Sequence, residues 1–357
     1  MDSAASVIGR CYLGAAARHR PYDARVENGI DTTATPTGSP GTAAITGATG
    51  FVGQHIVREL LMRGWQVRAL VRSESKARRV LPEGTGLTLV SGDVLDTAAL
   101  DRLMTGVDAC IHLVGIIREA GGQQTFENMH AEATRRVVAA GERASRARPI
   151  RHIQMSALGV RDGSTIPYQR TKREGERAVE ASSLRWTIFR PGLIHGHDGE
   201  FTQMAAAWVR GKSAPWLFVP FFTPGWNPFA KGVPVAPVFV DDVARMFCDA
   251  VTNDAAIGRT YDLAGAETLT FDDMLRVYQR LVPGAKRLPL VGVPGPLAVL
   301  QAKLLGAVGL GKLLPFDEGM ARMAMEPSVS ECTLAKAELG YDPEPFTESL
   351  RSYADKL

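Results

Sequence analysis

Between Ala43 and Pro191, short apolar runs alternate with longer stretches whose apolar residues recur every three to four positions. AAIT (43–46), between Gly41 and Gly47, predicts a buried strand. The stretch from Val52 to Arg63 puts Ile56, Leu60 and Leu61 on one stripe and predicts a helix. WQVRALV (65–71), LTLVSGD (87–93), ACIHLVG (109–115), RHIQMSA (151–157) and RWTIFRP (185–191) predict further strands. Long helices are expected from Phe126 to Ala144 and from about Tyr168 to Ala181. This alternation predicts an α/β fold, a doubly wound parallel sheet with helices on both faces.

The pattern changes after Pro191. Residues 196–235 are rich in Pro, Trp and Phe, and VPVAPVFV (233–240) then leads into a helical DDVARMFCDAV. TYDLAG (260–265) predicts a last strand, and the chain from Thr270 reads as helices separated by loops. The expected organisation is a nucleotide-binding domain over 43–195 and a smaller mixed substrate lobe over 196–357. Within that lobe, 236–265 is expected to return to the sheet edge. Ligands of open α/β sheets bind at the carboxyl edge of the strands, where such a lobe would pack. DTTATPTGSPGT (31–42) is of low complexity, so residues 1–42 are expected to be a disordered leader and linker. Arg10, Arg18 and Arg20 against a single Asp2 leave an organellar presequence as the other reading. The location expected is accordingly cytoplasmic or membrane-peripheral in a bacterium, and the mitochondrial matrix or another organelle if the leader is a presequence.

Composition removes several classes. Lys plus Arg is 41 against 38 Asp plus Glu, too even a balance for nucleic acid as the main partner. Four cysteines far apart and without a CxxC pair exclude a disulfide scaffold and a zinc ribbon. No HExxH or similar spacing is present, and no metal is expected. The least charged stretches are broken by proline, so no transmembrane segment is predicted.

TGATGFVG, Thr46 to Gly53, follows a strand and opens a helix. Gly47 permits the tight turn, Gly50 the close approach of a pyrophosphate, and Gly53 the packing of helix on strand. The helix N-terminus adds free N–H groups and partial positive charge, so the loop predicts dinucleotide binding. The second strand ends at Val71, and Arg72 follows 19 residues past Gly53, about where an acidic residue would bind the ribose of NAD. The first carboxylate comes only at Glu74. A guanidinium pairs bidentately with a 2′-phosphate, and Lys76, Arg78 and Arg79 add charge nearby. The expected cofactor is NADP(H), with NAD(H) less favoured.

Tyr168 and Lys172 stand four residues apart on a helix, so their heads reach one site. An ammonium beside a phenol is expected to lower the phenol's pKa and ready it for proton exchange with a carbonyl or alcohol oxygen.

The GxxGxxG spacing, with the YxxxK pair and Ser156 twelve residues before it, resembles the extended and atypical branches of the short-chain dehydrogenase/reductase superfamily. The resemblance implies a Rossmann fold. It implies that Tyr168, Lys172 and Ser156 are catalytic, that Lys172 also holds the nicotinamide ribose, and that Ser156 bonds the substrate oxygen. It places Gly47, Thr49, Gly50, Phe51, Val52 and Gly53 around the pyrophosphate. It also puts Asp93 and Val94 at the adenine, Val114 and Gly115 along the cofactor, and Pro191 and Ile194 beside the nicotinamide. HIQMSALG (152–159), PVFVDDVARMF and ELGYDPEPFTESL extend the likeness over about residues 43–350. They look like the branch that contains the NAD(P)H-binding accessory subunit of respiratory complex I and its bacterial relatives. Two departures stand out: the leader to Thr42 has no counterpart, and Met129-His130 occupies the place where extended members carry Asn.

The branch implies an NADP(H)-binding accessory or assembly factor of a respiratory quinone-reducing complex, with respiratory subunits or a peripheral membrane contact as partners. The alternative is an active NADPH-dependent reductase or dehydrogenase on an apolar carbonyl or alcohol, working through Tyr168 and Lys172. Among the remaining features, the aromatic stretch holding Trp216, Phe218, Phe221, Phe222, Trp226 and Phe229 is expected to bury its rings against the lobe, with an apolar pocket or a surface for a membrane-embedded partner as the other reading. The stretch 288–314 is expected to pack into the core, with an interfacial amphipathic helix after Pro296 as the other reading. His195 and His197 are expected to be loop residues rather than ligands.

Overall fold

Ala43, Ala44, Ile45 and Thr46 are wholly buried because their strand, β1 (Thr42–Thr46), is central to the sheet and covered on both faces. The structure, a computed structural model, describes residues 40–307 and 318–357. The leader expected over 1–42 therefore lies almost entirely outside the described residues. From β1 the chain alternates through α1 (Phe51–Met62), β2 (Gln66–Val71), α2 (Glu74–Val80), β3 (Leu87–Ser91), α3 (Thr97–Met104) and β4 (Ala109–His112). It continues through a wide helical segment (Glu127–Glu132) running into α4 (Ala133–Ser145), then β5 (Arg151–Met155), α5 (Pro167–Glu180) and β6 (Arg185–Pro191).

The lobe that follows contains β7 (Ile194–His195), α6 (Glu200–Val209), β8 (Val219–Thr223), β9 (Pro234–Val235), β10 (Val238–Phe239) and α7 (Val240–Thr252). After it come β11 (Arg259–Leu263), β12 (Leu269–Thr270), α8 (Phe271–Leu281), β13 (Leu290–Pro294), α9 (Gly295–Ala307), α10 (Glu318–Met323), α11 (Thr333–Leu339) and α12 (Phe346–Tyr353).

Seven parallel strands run in the order β11-β6-β5-β4-β1-β2-β3. This is the doubly wound Rossmann arrangement, with its reversal of strand order between β1 and β4. In register, Thr46 lies beside His112 and Leu70, so the carboxyl ends of β1, β2 and β4 open onto one crevice. One face is sealed by α1 and α7, through Ile56, Leu60, Val243 and Phe247, and the other by α3 and α4, through Leu100, Leu103 and Val137. β11 pairs with β6 after the chain has passed through the lobe, Arg259 beside Thr187. The lobe has its own core of Val209, Val219, Tyr278, Phe346 and Leu350.

Three expectations change. The chain beyond Thr270 is not only helices and loops: β13 pairs in parallel with β8, Leu290 to Val219, and its prolines stand at or beside its ends, where lost N–H groups cost least. The helix expected over 126–144 opens with the widened turn Glu127–Glu132, a feature common at functional sites. His195 is not a loop residue; it lies in β7, wholly buried, with its Nδ1 2.7 Å from the Tyr353 hydroxyl.

Candidate active site

Gly47 takes a φ of +80°, a left-handed conformation that glycine adopts without strain. Its carbonyl accepts from the Gly50 amide at 3.0 Å, which closes the turn and aims α1 at the crevice. A Cβ on Gly53 would collide with the Gly47 carbonyl and the Ala48 backbone, so helix and loop touch directly. Gly50 caps α1 without any side-chain bond, and no acidic residue stands in the first turn. The leading amides, those of Phe51, Val52 and Gly53 among them, thus carry uncompensated positive potential, which suits a pyrophosphate. Thr49 stays close by, its carbonyl accepting from Gln54 at 3.4 Å. The Phe51 ring packs beneath Gly196 and Gly199, linking this loop to the segment after Ile194. Ile194 itself lies in β7, beside Val238, three residues beyond the buried Pro191 that ends β6.

At the adenosine end, Arg72 is exposed directly after β2, and Ser73 caps α2 by accepting from the Lys76 amide at 3.3 Å. Lys76, Arg78 and Arg79 are exposed on or beside the same turn of helix, Arg78 lying 3.8 Å from Glu74. Asp93 follows β3 and folds back to accept the Leu95 amide at 2.9 Å, with Val94 buried behind it. Val114 and Gly115 follow β4, where the Val114 amide lies 3.2 Å from the place of a Gly47 Cβ.

The reacting end is built on α5. Lys172 Nζ donates to the Met155 carbonyl at 3.2 Å and lies 2.9 Å from where a Gly115 Cβ would stand. It therefore sits at the carboxyl ends of both β4 and β5. Ser156 comes next in the chain; its Oγ is buried and has no hydrogen-bond partner. A buried hydroxyl left unpaired costs about 1–3 kcal/mol, which a bound cofactor or substrate oxygen would recover. Tyr168, one turn before Lys172, sets its ring edge against His130 at 5.1 Å and Phe126 at 5.9 Å. The structure thus gathers Lys172, Gly115 and Ser156 at one crevice, with Tyr168 on the same helix face, and leaves Arg72 and Asp93 at its far end.

The electrostatics correct one expectation. Burial pushes the Tyr168 phenol up to about 12, rather than the lysine lowering it. Burial also lowers the Lys172 ammonium to about 8, partly offset by the Glu176 carboxylate. The phenol is protonated throughout the neutral range, which suits a proton donor.

The place expected to carry Asn is taken over structurally by His130. Its Nδ1 lies 2.9 Å from the Thr171 hydroxyl and its Nε2 3.0 and 3.1 Å from the Ile116 carbonyl and amide. Thr171 donates to the Pro167 carbonyl at 2.9 Å, so a proton on Nδ1 lets the ring donate to the Thr171 hydroxyl while Nε2 accepts from the Ile116 amide. Burial, and then the Lys172 ammonium, lower His130 to about 2, so the ring is neutral. It ties the loop after β4 to α5 and stands as the wall behind Tyr168. Glu176 also escaped the sequence reading. Its side chain is fully buried and bonds Arg190 on β6 at 2.6 and 2.7 Å, which fixes α5 against the sheet.

Residues 47–212 match the NAD(P)H-binding family. The chain is 39% identical over 162 residues to ceramide reductase of Caulobacter vibrioides, covering 45% of this chain and 48% of that protein. It is 26% identical over 264 residues to the mitochondrial NADH dehydrogenase [ubiquinone] 1 alpha subcomplex subunit 9 of Arabidopsis thaliana, covering 73% and 62%. The matches thus span about half to three-fifths of these relatives' lengths. A short-chain dehydrogenase/reductase superfamily protein of Agrobacterium tumefaciens, solved with bound NAD, shares the fold at a TM-score of 0.62, with 20% identity over 88% of this chain and 95% of that one. Strand order, glycine loop and the match over residues 47–212 together show a Rossmann domain of the NAD(P)H-binding kind, and the fold is the one shared with the short-chain dehydrogenase/reductase protein above.

Proposed function

We propose that this protein is an NADP(H)-dependent reductase of an apolar carbonyl compound. The observation that carries the reading is the Ser156 hydroxyl, buried and unpartnered beside the carbonyl that Lys172 holds. The loop at 46–53 would hold the pyrophosphate, Lys172 the nicotinamide ribose, and Arg72 the 2′-phosphate. When bound, the nicotinamide supplies hydride to the carbonyl carbon. Ser156 donates a hydrogen bond to the carbonyl oxygen and orients it. Tyr168 gives its proton to that oxygen as negative charge develops there, completing the alcohol. The Lys172 ammonium, anchored on Met155, stabilises the phenolate left behind. A phenol raised to about 12 favours this direction over oxidation of an alcohol, which needs phenolate at the outset. Similarity to ceramide reductase over 162 residues supports the reductase reading.

A second reading is supported by similarity to the plant respiratory subunit over 73% of the chain. In it the nucleotide stabilises an accessory or assembly factor of a respiratory quinone-reducing complex, and turnover is absent. NADPH oxidation against a panel of apolar ketones and quinones separates the two. Turnover with at least one class is expected. Stoichiometric NADPH binding with no turnover, together with co-purification with respiratory subunits, would overturn the first reading in favour of the second.

A further inference from the structure

Helix α9 packs the wrong way round for a soluble protein. Ala298 and Ala302, four residues apart, face the body and are almost fully buried. Leu297, Leu300 and Leu304 form one stripe at i, i+3 and i+7, and all are exposed, Leu304 to 60%. A shallow apolar groove runs along the stripe. In the loop that follows β8, Trp226 and Phe229 are exposed by 67% and 94%. Their loop lies against β13, since a Cβ on Gly292 would strike the Pro228 carbonyl. Apolar surface of this extent marks an interaction site.

Charge says what covers it. Residues 201–240 contain Arg210, Lys212 and Lys231 and no Asp or Glu. Residues 281–316 contain Lys286, Arg287, Lys303 and Lys312 and again no Asp or Glu, in a chain whose totals are nearly even. Lys212, Lys286, Arg287 and Lys303 are exposed and form no ion pair with a described residue. Outward leucines and aromatics among cations, with Glu318 on the neighbouring α10 paired to Arg322 and Asp273 to Lys231, are the chemistry of a peripheral element lying in an anionic lipid surface. No described helix is long and apolar enough to cross a membrane.

The same element reaches the active site. α10 packs on α9, and Met325 lies against Gly295. The next residue, Glu326, bonds Arg161 at 2.6 Å and the Gln169 amide at 2.7 Å, and Gln169 adjoins Tyr168. We infer that the α9 face, with the Trp226–Phe229 loop, docks the protein on an anionic bilayer and presents the Tyr168 site to a lipid-dissolved substrate. The substrate clause rests on the reductase reading; the docking itself does not.

The test is co-sedimentation of the full chain with phosphatidylcholine vesicles, with and without phosphatidylglycerol. Binding to the anionic vesicles that weakens as salt is raised is expected. Leu297→Ser/Leu300→Ser/Leu304→Ser should weaken it by about tenfold or more. Trp226→Ser/Phe229→Ser serves as an independent second variant, and both should bind NADPH like wild type, which shows that they fold. Wild type that stays in solution with anionic vesicles, or variants that fold and sediment like wild type, would overturn the docking. So would loss of self-association in the leucine variant without any vesicle binding, which would mark the face as a protein interface. Vesicle binding without turnover would leave the docking standing and sink only the reductase reading.

Discussion

Arg190 holds Glu176 by two hydrogen bonds of 2.6 and 2.7 Å, and the carboxylate side chain is fully buried. The pair joins β6 to α5, one turn beyond Lys172 and two beyond Tyr168. The rotation of the catalytic helix is thereby fixed from the sheet side, in addition to the contacts that His130 makes with Thr171 and Tyr168. Removing one partner of such a pair leaves a buried charge and typically costs about 3–5 kcal/mol. Glu176→Ala is expected to lower the melting temperature and to reduce turnover more than NADPH affinity. Glu176→Gln, which keeps the shape and part of the hydrogen bonding, should restore part of both. Thermal melts and kcat measured on the two variants check this.

Tyr168→Phe removes the proton donor and little else. Turnover should fall by about 10²–10⁴-fold, the usual contribution of a general acid. NADPH affinity should stay near wild type, because the ribose is assigned to Lys172. Equal rates in the variant and wild type would remove Tyr168 from the mechanism.

The preference for NADP(H) is expected to be at least about tenfold, since one charge-assisted phosphate contact is worth about 1.5–3 kcal/mol. Arg72→Asp should reverse or abolish it. Titration of both cofactors by tryptophan quenching reads the result, and equal wild-type affinities would count against Arg72 as the reader of the 2′-phosphate.

His55 on α1 lies with Nδ1 2.6 Å from Asp241 and Nε2 3.1 Å from Asp198. The two carboxylates outweigh burial and raise its pKa to about 9. The folded state therefore holds a proton that the unfolded state releases above its ordinary 6.5. The stabilisation is complete below pH 6.5 and is lost as pH rises towards 9. Its size is on the order of 3 kcal/mol. The stability advantage of wild type over His55→Gln should shrink across this window, as read by denaturant unfolding at a series of pH values. An advantage independent of pH would show that the ring is neutral when folded.

The Rossmann half was legible because its signals are local. Buried parallel strands read as continuous apolar runs, and the glycine loop and the YxxxK spacing each lie within one element or turn. What was not legible depends on contacts distant in sequence. His130 resembles any helical histidine until Ile116 and Thr171 close around it. Glu176 reads as one acid in the polar run KREGER until Arg190 arrives from the next strand. The Tyr168 pKa was misjudged because spacing reveals the neighbouring ammonium but not the depth of burial. For α9 the composition invited core packing; which face turns outward is decided by the alanines that let it lie close, and no periodicity marks that choice.

The seventh strand of the sheet, β11, arrives only after the chain has built much of the lobe, and it shields β6 along Thr187 to Pro191. Phe189 packs there against Phe247 and Tyr261, both supplied from beyond residue 240. A fragment ending at residue 212, where the family match stops, would leave β6 as a raw edge with unpaired amides and Phe189 without these two aromatic neighbours. The return of one strand therefore joins lobe to sheet, and a fragment meant to keep the cofactor half intact has to run through Leu263.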